Sequence, residues 1–243
     1  MKIVILCGGK GLRAFPFTEY LPKPMLPVGG SPIVVQVIKS FIAQGYSDFV
    51  LAAGYRKNVL DDYFEGKHLG GARIEILDTG QGADTGERVR ACMDHVGDTF
   101  LVTYADGLCD ISIRNLVDFH RSHDGFATIT SVPMYSQYGV LDVAADGKVE
   151  RLREKPLIRE HWINAGFIIF DKAVFEHWEG TNMESHVFPH LVEKGLAYTY
   201  RHEGFFKSLD SYKDQVELEE MLASKTRLPW ALKEAPDGLL AKS

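Results

Sequence analysis

Cysteine is scarce in this chain: Cys7, Cys92 and Cys109 are three residues among 243. An odd number without metal-type spacing offers neither a disulfide framework nor a zinc motif, and it fits reduced thiols in a cytoplasmic protein. Long apolar runs are missing as well. The opening MKIVILC has one lysine and a short apolar stretch before glycines, and is read as neither signal peptide nor membrane span. There is no excess of positive charge. A net charge of −6 excludes a nucleic-acid coat, because a phosphate backbone needs a basic face; it does not exclude small phosphates. No repeat or low-complexity tract appears, and 45% apolar content is enough for a real core.

What is present alternates. KIVILC (2–7), DFVLAA (48–53), RIEIL (73–77) and TFLVTY (99–104) read as strands bounded by turn residues. Between them SPIVVQVIKSFIAQG carries a helical apolar stripe ending at Gly45, and NVLDDYF and IRNLVDFHRSH read as helices. This order predicts an α/β fold, Rossmann-like and three-layered, with a mixed, mostly parallel central sheet. The second half is richer in strand. ATITSVP (127–133), the stretch 139–154 with a type I′ turn expected at Asp146-Gly147, NAGFIIF (164–170) and AYTYRH form a smaller β-rich acceptor half. Helices are expected near 184–195 and from about Ser211. One domain over 1–243 is expected, with a nucleotide half at about 1–125, an acceptor half at about 126–210, and a helix and loosely attached tail beyond. His120 and His123, at helical spacing without a third ligand, are expected at the surface.

The glycine loop after the first strand, GGKGLRA, matches G-x-G-x-x-A at residues 9–14. A dinucleotide site would need a long helix there, yet Pro16 comes too early, and the second strand ends AAGY without a carboxylate for a ribose. The Walker pattern fails because no G-K-[ST] follows. A plain strand-to-helix turn leaves Lys10, Arg13 and Lys23 unexplained. A loop wrapping a nucleotide accounts for all of them. Gly8, Gly9 and Gly11 let backbone N–H groups approach phosphate oxygens, Arg13 can clamp them, and the prolines of YLPKPML stiffen the arm that aims Lys23.

Asp106, in YADG just past a strand, reads as a turn-former, and Asp210, in KSLDS, as a helix N-cap. Beside a cationic phosphate loop the two also make sense as Mg²⁺ ligands.

The stretch LCGGKGLR…PKPMLPVGGSPI resembles the signature of the sugar-1-phosphate nucleotidylyltransferases, and the likeness extends to about residue 225. DTG…TGERV (78–89), TYADGLCDISI (103–113), EKP (154–156), INAGFIIF (163–170) and GFFKSLDSYKD (204–214) most resemble the glucose-1-phosphate cytidylyltransferases. The resemblance implies in-line attack of a sugar 1-phosphate, glucose 1-phosphate before others, on the α-phosphorus of CTP, with UTP, dTTP, GTP or another phosphorylated acceptor as alternatives. It implies Mg²⁺ on Asp106 and Asp210, and catalytic roles for Arg13 and Lys23. Nucleotide contacts are implied at Leu6, Gly8, Gly9, Gly11, Leu12, Thr85, Gly86, Arg88 and Ala105. Sugar-phosphate contacts are implied at Gly139, Glu154, Lys155, Asn164 and Gly166, with Tyr138 alongside. Neither a nucleic-acid nor a membrane partner is expected, and a homo-oligomer is left open.

Four departures from the family pattern stand out: Leu12 for Thr, Ala14 for Leu, Ala83 and Glu87 in the stretch 78–89, and a short link between Tyr63 and Arg73. Asp84 and Glu87 are spaced as a capping box for the helix carrying Arg88, which then either reaches the triphosphate or pairs with that carboxylate. Two rivals remain: a dinucleotide oxidoreductase and a non-catalytic nucleotide-sugar sensor.

Overall fold

The computed structural model describes residues 1–11, 17–224 and 228–230. The expectations for Leu12, Arg13, Ala14 and Pro16, and for most of the tail after Arg227, lie outside them.

A seven-stranded sheet runs through both halves. Its strands are β1 (Lys2–Leu6), β4 (Asp48–Ala53), β5 (Arg73–Asp78), β6 (Thr99–Tyr104), β8 (Ala127–Tyr135), β11 (Leu157–Asp171) and β12 (Ala197–Arg201), in the spatial order β12-β8-β11-β6-β1-β4-β5. Two short strands outside it, β2 (Pro27–Val28) and β3 (Ser31–Pro32), pair antiparallel with each other. Neighbours in the large sheet are parallel except at β11, which runs antiparallel to β6 and β8. Alternation along β1 assigns side chains to two layers. Ile3 and Ile5 face a core shared with α1 (Ile33–Ile42), α2 (Lys57–Phe64), α4 (Ile113–His120) and α6 (Tyr212–Ala223). Val4 and Leu6 face the other core, with α3 (Thr85–Ala91) and α5 (Phe188–Glu193). The fold is the expected three-layer α/β arrangement. Strand order reverses at β1, flanked by β4 and β6, so a crevice opens at the carboxyl ends of β1 and β6.

Several details differ from expectation. The hairpin of β9 (Val140–Val143) and β10 (Val149–Arg153) forms, but only Gly147 has positive φ, and Ala144 O accepts from Gly147 N at 2.9 Å. The loop is longer than a two-residue type I′ turn. His120 is buried, not at the surface: His120 Nδ1 and His123 Nε2 both lie 2.7 Å from Thr128 Oγ1. Trp230, in the tail expected to be loose, is buried against Phe205. No described helix is long and apolar enough to cross a membrane. The three cysteines are free and buried.

Candidate active site

Two short strands that the sequence pattern does not announce bring the distant carboxylates together. β7 (Gly107–Cys109) pairs antiparallel with β13 (Phe206–Ser208), Gly107 opposite Ser208. Leu209 N then donates to Asp106 O at 2.9 Å. Asp106 precedes one strand and Asp210 follows the other, so the pairing places both side chains at the same end. Asp210 is not the N-cap of α6. Ser211 takes that place in a capping box with Asp214, and Ser208 Oγ donates to Asp210 Oδ2 at 2.9 Å.

Lys23 closes the cluster. Its ammonium is ion-paired with Asp106 and lies 2.8 Å from Asp210 Oδ1. The arm is held as its prolines suggest: residues Lys23–Met25 form a 3₁₀ turn in which Pro24 and Met25 are buried. Gly11, at φ +63°, is needed where the lysine stem crosses, since a Cβ there would lie 2.8 Å from Lys23 Cβ. Burial alone would pull the Lys23 pKa down, but Asp106 and then Asp210 outweigh it, so the pKa is raised and the ammonium form is held.

Beside this cluster lies a cavity of about 430 Å³, lined by Leu6 to Gly11, Lys23, Pro24, Ala83 to Thr85, Arg88 and Tyr104 to Asp106. Its size suits a nucleotide. Of the expected nucleotide contacts, Leu6, Gly8, Gly9, Gly11, Lys23, Thr85, Arg88 and Ala105 line it. Gly86 is outside that lining and packs closely. A Cβ there would come 2.7 Å from Thr181 O, so the glycine lets α3 dock on that segment.

Arg88, read from the sequence as either reaching the triphosphate or pairing with Glu87, is held among oxygens of the surrounding loops. It is buried, and its guanidinium donates to Gly8 O (3.0 Å), Ala53 O (3.3 Å), Thr79 Oγ1 (2.6 Å) and Gly80 O (2.8 Å). Burial lowers its pKa, partly offset by Cys7, Asp78, Asp84 and Glu87. Glu87 does not take it as an ion-pair partner: the capping box forms, with Asp84 N donating to Glu87 Oε2 at 2.8 Å. The consequence reaches the phosphate loop. Gly8 O accepts from both Arg88 and Tyr55 N (3.0 Å), and because the peptide is planar and trans, the Gly9 N–H points the opposite way.

The sequence matches the Nucleotidyl transferase family pattern over residues 2–210. The chain belongs to that family. The glucose-1-phosphate cytidylyltransferase of Salmonella typhimurium is 32% identical, over 95% of this chain and 98% of its own length. The mannose-1-phosphate guanyltransferase of Gibberella zeae is 33% identical, over 88% of this chain and 62% of the fungal protein. A crystal structure of HddC from Yersinia pseudotuberculosis complexed with GMP-PN superposes with a TM-score of 0.72 at 21% identity, covering 91% of this chain and 99% of that one. The chain is thus a sugar-phosphate nucleotidyltransferase with the Rossmann-like fold of its relatives.

In this nucleotidyl transferase the residues expected to contact the sugar phosphate lie on β11 and around the β9–β10 hairpin, outside the lining of this cavity. Glu154 and Lys155 are exposed just past β10, and Lys155 has the strained φ of +44°. A Cβ on Gly139 would lie 3.1 Å from Glu154 Oε2, so these two adjoin. Asn164 and Gly166 sit on a bulge of β11, where the ladder with β8 shifts register and Asn164 Oδ1 accepts from Gly166 N at 2.8 Å. Gly166 (φ +77°) was expected among the sugar-phosphate contacts, and the space beside it is not open. It is filled by Tyr104, whose Cδ2 would lie 2.2 Å from a Cβ there. That contact fixes the bulge against the strand end that carries Asp106.

Residues missed from the sequence include Tyr104, Ser208 and Glu184, none of which stands out by its own spacing. Cys109, Asp110 and His202 also approach within 4.8 Å of one another. His202 Nε2 and Asp110 Oδ1 are 2.8 Å apart, a hydrogen bond tying β7 to the end of β12, and burial pushes the Cys109 thiol up to about 12. That cluster reads as a structural tether.

Proposed function

We propose that this nucleotidyltransferase transfers a nucleotidyl group from CTP to glucose 1-phosphate, giving the nucleotide sugar and pyrophosphate. The observation that carries the reading is the convergence of Asp106 and Asp210 on the Lys23 ammonium at the edge of a glycine-lined cavity. The preference for CTP and glucose 1-phosphate rests on likeness to the Salmonella enzyme.

The donor set fits a divalent ion. Two carboxylates already share one cation, and Mg²⁺ takes one or two carboxylates with phosphate oxygens completing its shell. Asp106 and Asp210 would hold it, and when bound it would neutralise charge on the reacting phosphates. The chain's own groups do the remainder. A sugar-phosphate oxygen forms a bond to the α-phosphorus as the bond to the β-phosphate bridging oxygen breaks in line, and pyrophosphate leaves. Both reactants are anions, so positioning and charge compensation dominate. Lys23, kept protonated by its carboxylate neighbours, would stabilise charge building at the transferring phosphorus, and Arg13 charge on the leaving pyrophosphate. The Gly9 amide, turned outward by the anchored Gly8 carbonyl, would donate to phosphate oxygen. Lys155, Glu154 and Asn164 would receive the sugar phosphate and its hydroxyls.

Pyrophosphate release measured across CTP, UTP, dTTP, GTP and ATP against a panel of sugar 1-phosphates tests this. Turnover fastest with CTP and glucose 1-phosphate, and dependent on Mg²⁺, is expected. Absence of release with every pairing would sink the proposal.

A further inference from the structure

The segment before α5 is fastened to the wall of the nucleotide cavity. Residues Met183–Val187 form a π-helical turn, a geometry that recurs at functional sites. Asn182 caps it, its Oδ1 accepting from Glu184 N (3.0 Å) and Ser185 N (2.9 Å). The same Asn182 donates through Nδ2 to Asp84 Oδ1 at 2.9 Å, and Thr181 O accepts from Glu87 N at 3.0 Å. Glu184 is thereby held against the start of α3. Its Oε2 accepts from Thr85 Oγ1 at 2.8 Å, and its Oε1 contacts the Tyr104 hydroxyl. Both hydroxyl residues line the cavity.

Counting protons gives this wall a chemical sign. A hydroxyl has one proton and two lone pairs. Thr85 directs its proton to Glu184 and uses one lone pair on Met183 N–H at 2.9 Å. Tyr104 likewise has an anionic acceptor to donate to. A carboxylate accepts and does not donate. What remains on Thr85, Tyr104 and Glu184 is acceptor capacity alone. On the reading proposed above, Lys23, Gly9 and Asp106 take the phosphates, which leaves the hydroxyl-bearing part of the lining for the base. We propose that Glu184 is the positioning residue for base selection: by fixing the protons of Thr85 and Tyr104 it makes this wall accept hydrogen bonds, favouring the 4-amino group of cytosine over the 4-keto oxygen of uracil or thymine. A keto oxygen would meet acceptors with no proton between them, the arrangement that discriminates most strongly between bases.

The inference rests on the nucleotidyl-transfer reading, and the test separates the two. The ratio of kcat/KM for CTP over UTP and dTTP is measured for the full chain and for Glu184→Gln, Glu184→Ala and Tyr104→Phe, with equilibrium titration of CTP and UTP alongside and thermal melting as the folding control. The parent should prefer CTP by tenfold or more in both readouts. Glu184→Gln introduces an amide donor and frees both hydroxyls to turn, so the preference should fall at least tenfold. Glu184→Ala should lower it similarly and Tyr104→Phe by less. A merely structural role would lower turnover with all triphosphates alike and leave the ratio intact. Ratios unchanged within twofold in both Glu184 variants, or a parent preferring UTP or dTTP, would overturn the inference while nucleotidyl transfer stands. No turnover with any triphosphate, with the binding preference still lost in Glu184→Gln, would overturn the transfer reading and keep the base-selecting role.

Discussion

Replacing Arg88 separates a brace from a phosphate clamp. Its guanidinium holds four acceptors, Gly8 O, Ala53 O, Thr79 Oγ1 and Gly80 O, drawn from the ends of β1 and β4 and the loop after β5. Two glycines pack against it: a Cβ would lie 2.1 Å from Arg88 Nη1 at Gly8 and 2.5 Å at Gly54. Hydrogen bonds from a charged donor contribute about 1.5–3 kcal/mol each, which sets an upper bound near 6–12 kcal/mol for four. Burial penalises the cation and lowers its pKa, and water entering the hole would satisfy some carbonyls. Arg88→Ala should therefore cost about 3–5 kcal/mol, below that bound because the acceptors left behind are neutral and can regain water. At about 2–4 °C per kcal/mol for a chain of this size, the melting temperature should fall by about 6–20 °C. Lysine carries the charge but not the planar fork, so Arg88→Lys should recover only part of it. Denaturant titration and thermal melting read the stability, and steady-state kinetics should show a raised KM for the triphosphate as the Gly8 loop loosens. Arg88→Ala melting within about 2 °C of the parent, with turnover abolished, would show a group acting on the substrate and refute the brace.

Asp106→Asn and Asp210→Asn should each lower turnover by about 10²–10³ with the fold retained, and metal titration by calorimetry should show weakened Mg²⁺ binding; normal binding in either variant removes that residue from the ion's shell. Gly166→Ala forces a left-handed residue onto a Cβ position 2.2 Å from Tyr104 Cδ2; about 2–4 kcal/mol of destabilisation is expected from strain and overpacking together, read as a lower denaturation midpoint. The acid limb of stability tests the Asp214–Lys207 pair, 3.2 Å apart. Burial pushes the Asp214 carboxyl up, but Ser211 and Lys207 outweigh it and depress its pKa below the ordinary 3.8. A depressed carboxyl contributes stability that is present above 3.8 and lost as pH falls through its folded value. Asp214→Asn should therefore flatten the loss of stability below about pH 4; an unchanged acid limb would show that the pair is uncoupled from folding.

Much of the fold was legible because each long element satisfies one period on its own. DFVLAA and TFLVTY form β4 and β6 with the expected bounds, and the stripe from Ile33 to Ile42 forms α1. The capping box of Asp84 and Glu87 also forms, being a contact of fixed local spacing. What escaped is non-local. β7 and β13 are three residues each and acquire meaning only through pairing across about a hundred residues. Asp210 looked like a helix cap because Ser211, next to it, is one. Arg88 was legible as a cation near a phosphate loop, but the direction of its side chain depends on carbonyls from three other segments. Glu184 carried no signal at all, since its partners are 80 and 99 positions away.

These misses share a physical cause that bears on the site itself. Two carboxylates brought to one point repel each other, so the β7–β13 pairing that joins Asp106 to Asp210 is opposed unless a cation arrives with it. Lys23 is that cation, from a third segment whose 3₁₀ turn is anchored by buried Pro24 and Met25. The ammonium therefore offsets the repulsion between the two carboxylates, and the fold brings the three side chains together before any substrate enters. A phosphate arriving at the cavity meets an ammonium whose charge is already balanced by two carboxylates. A divalent ion joining the two aspartates would add positive charge where an incoming triphosphate meets them. On this electrostatic ground the proposed Mg²⁺ and nucleotide should bind cooperatively, the ion cancelling the repulsion that the carboxylates would otherwise exert on the phosphates.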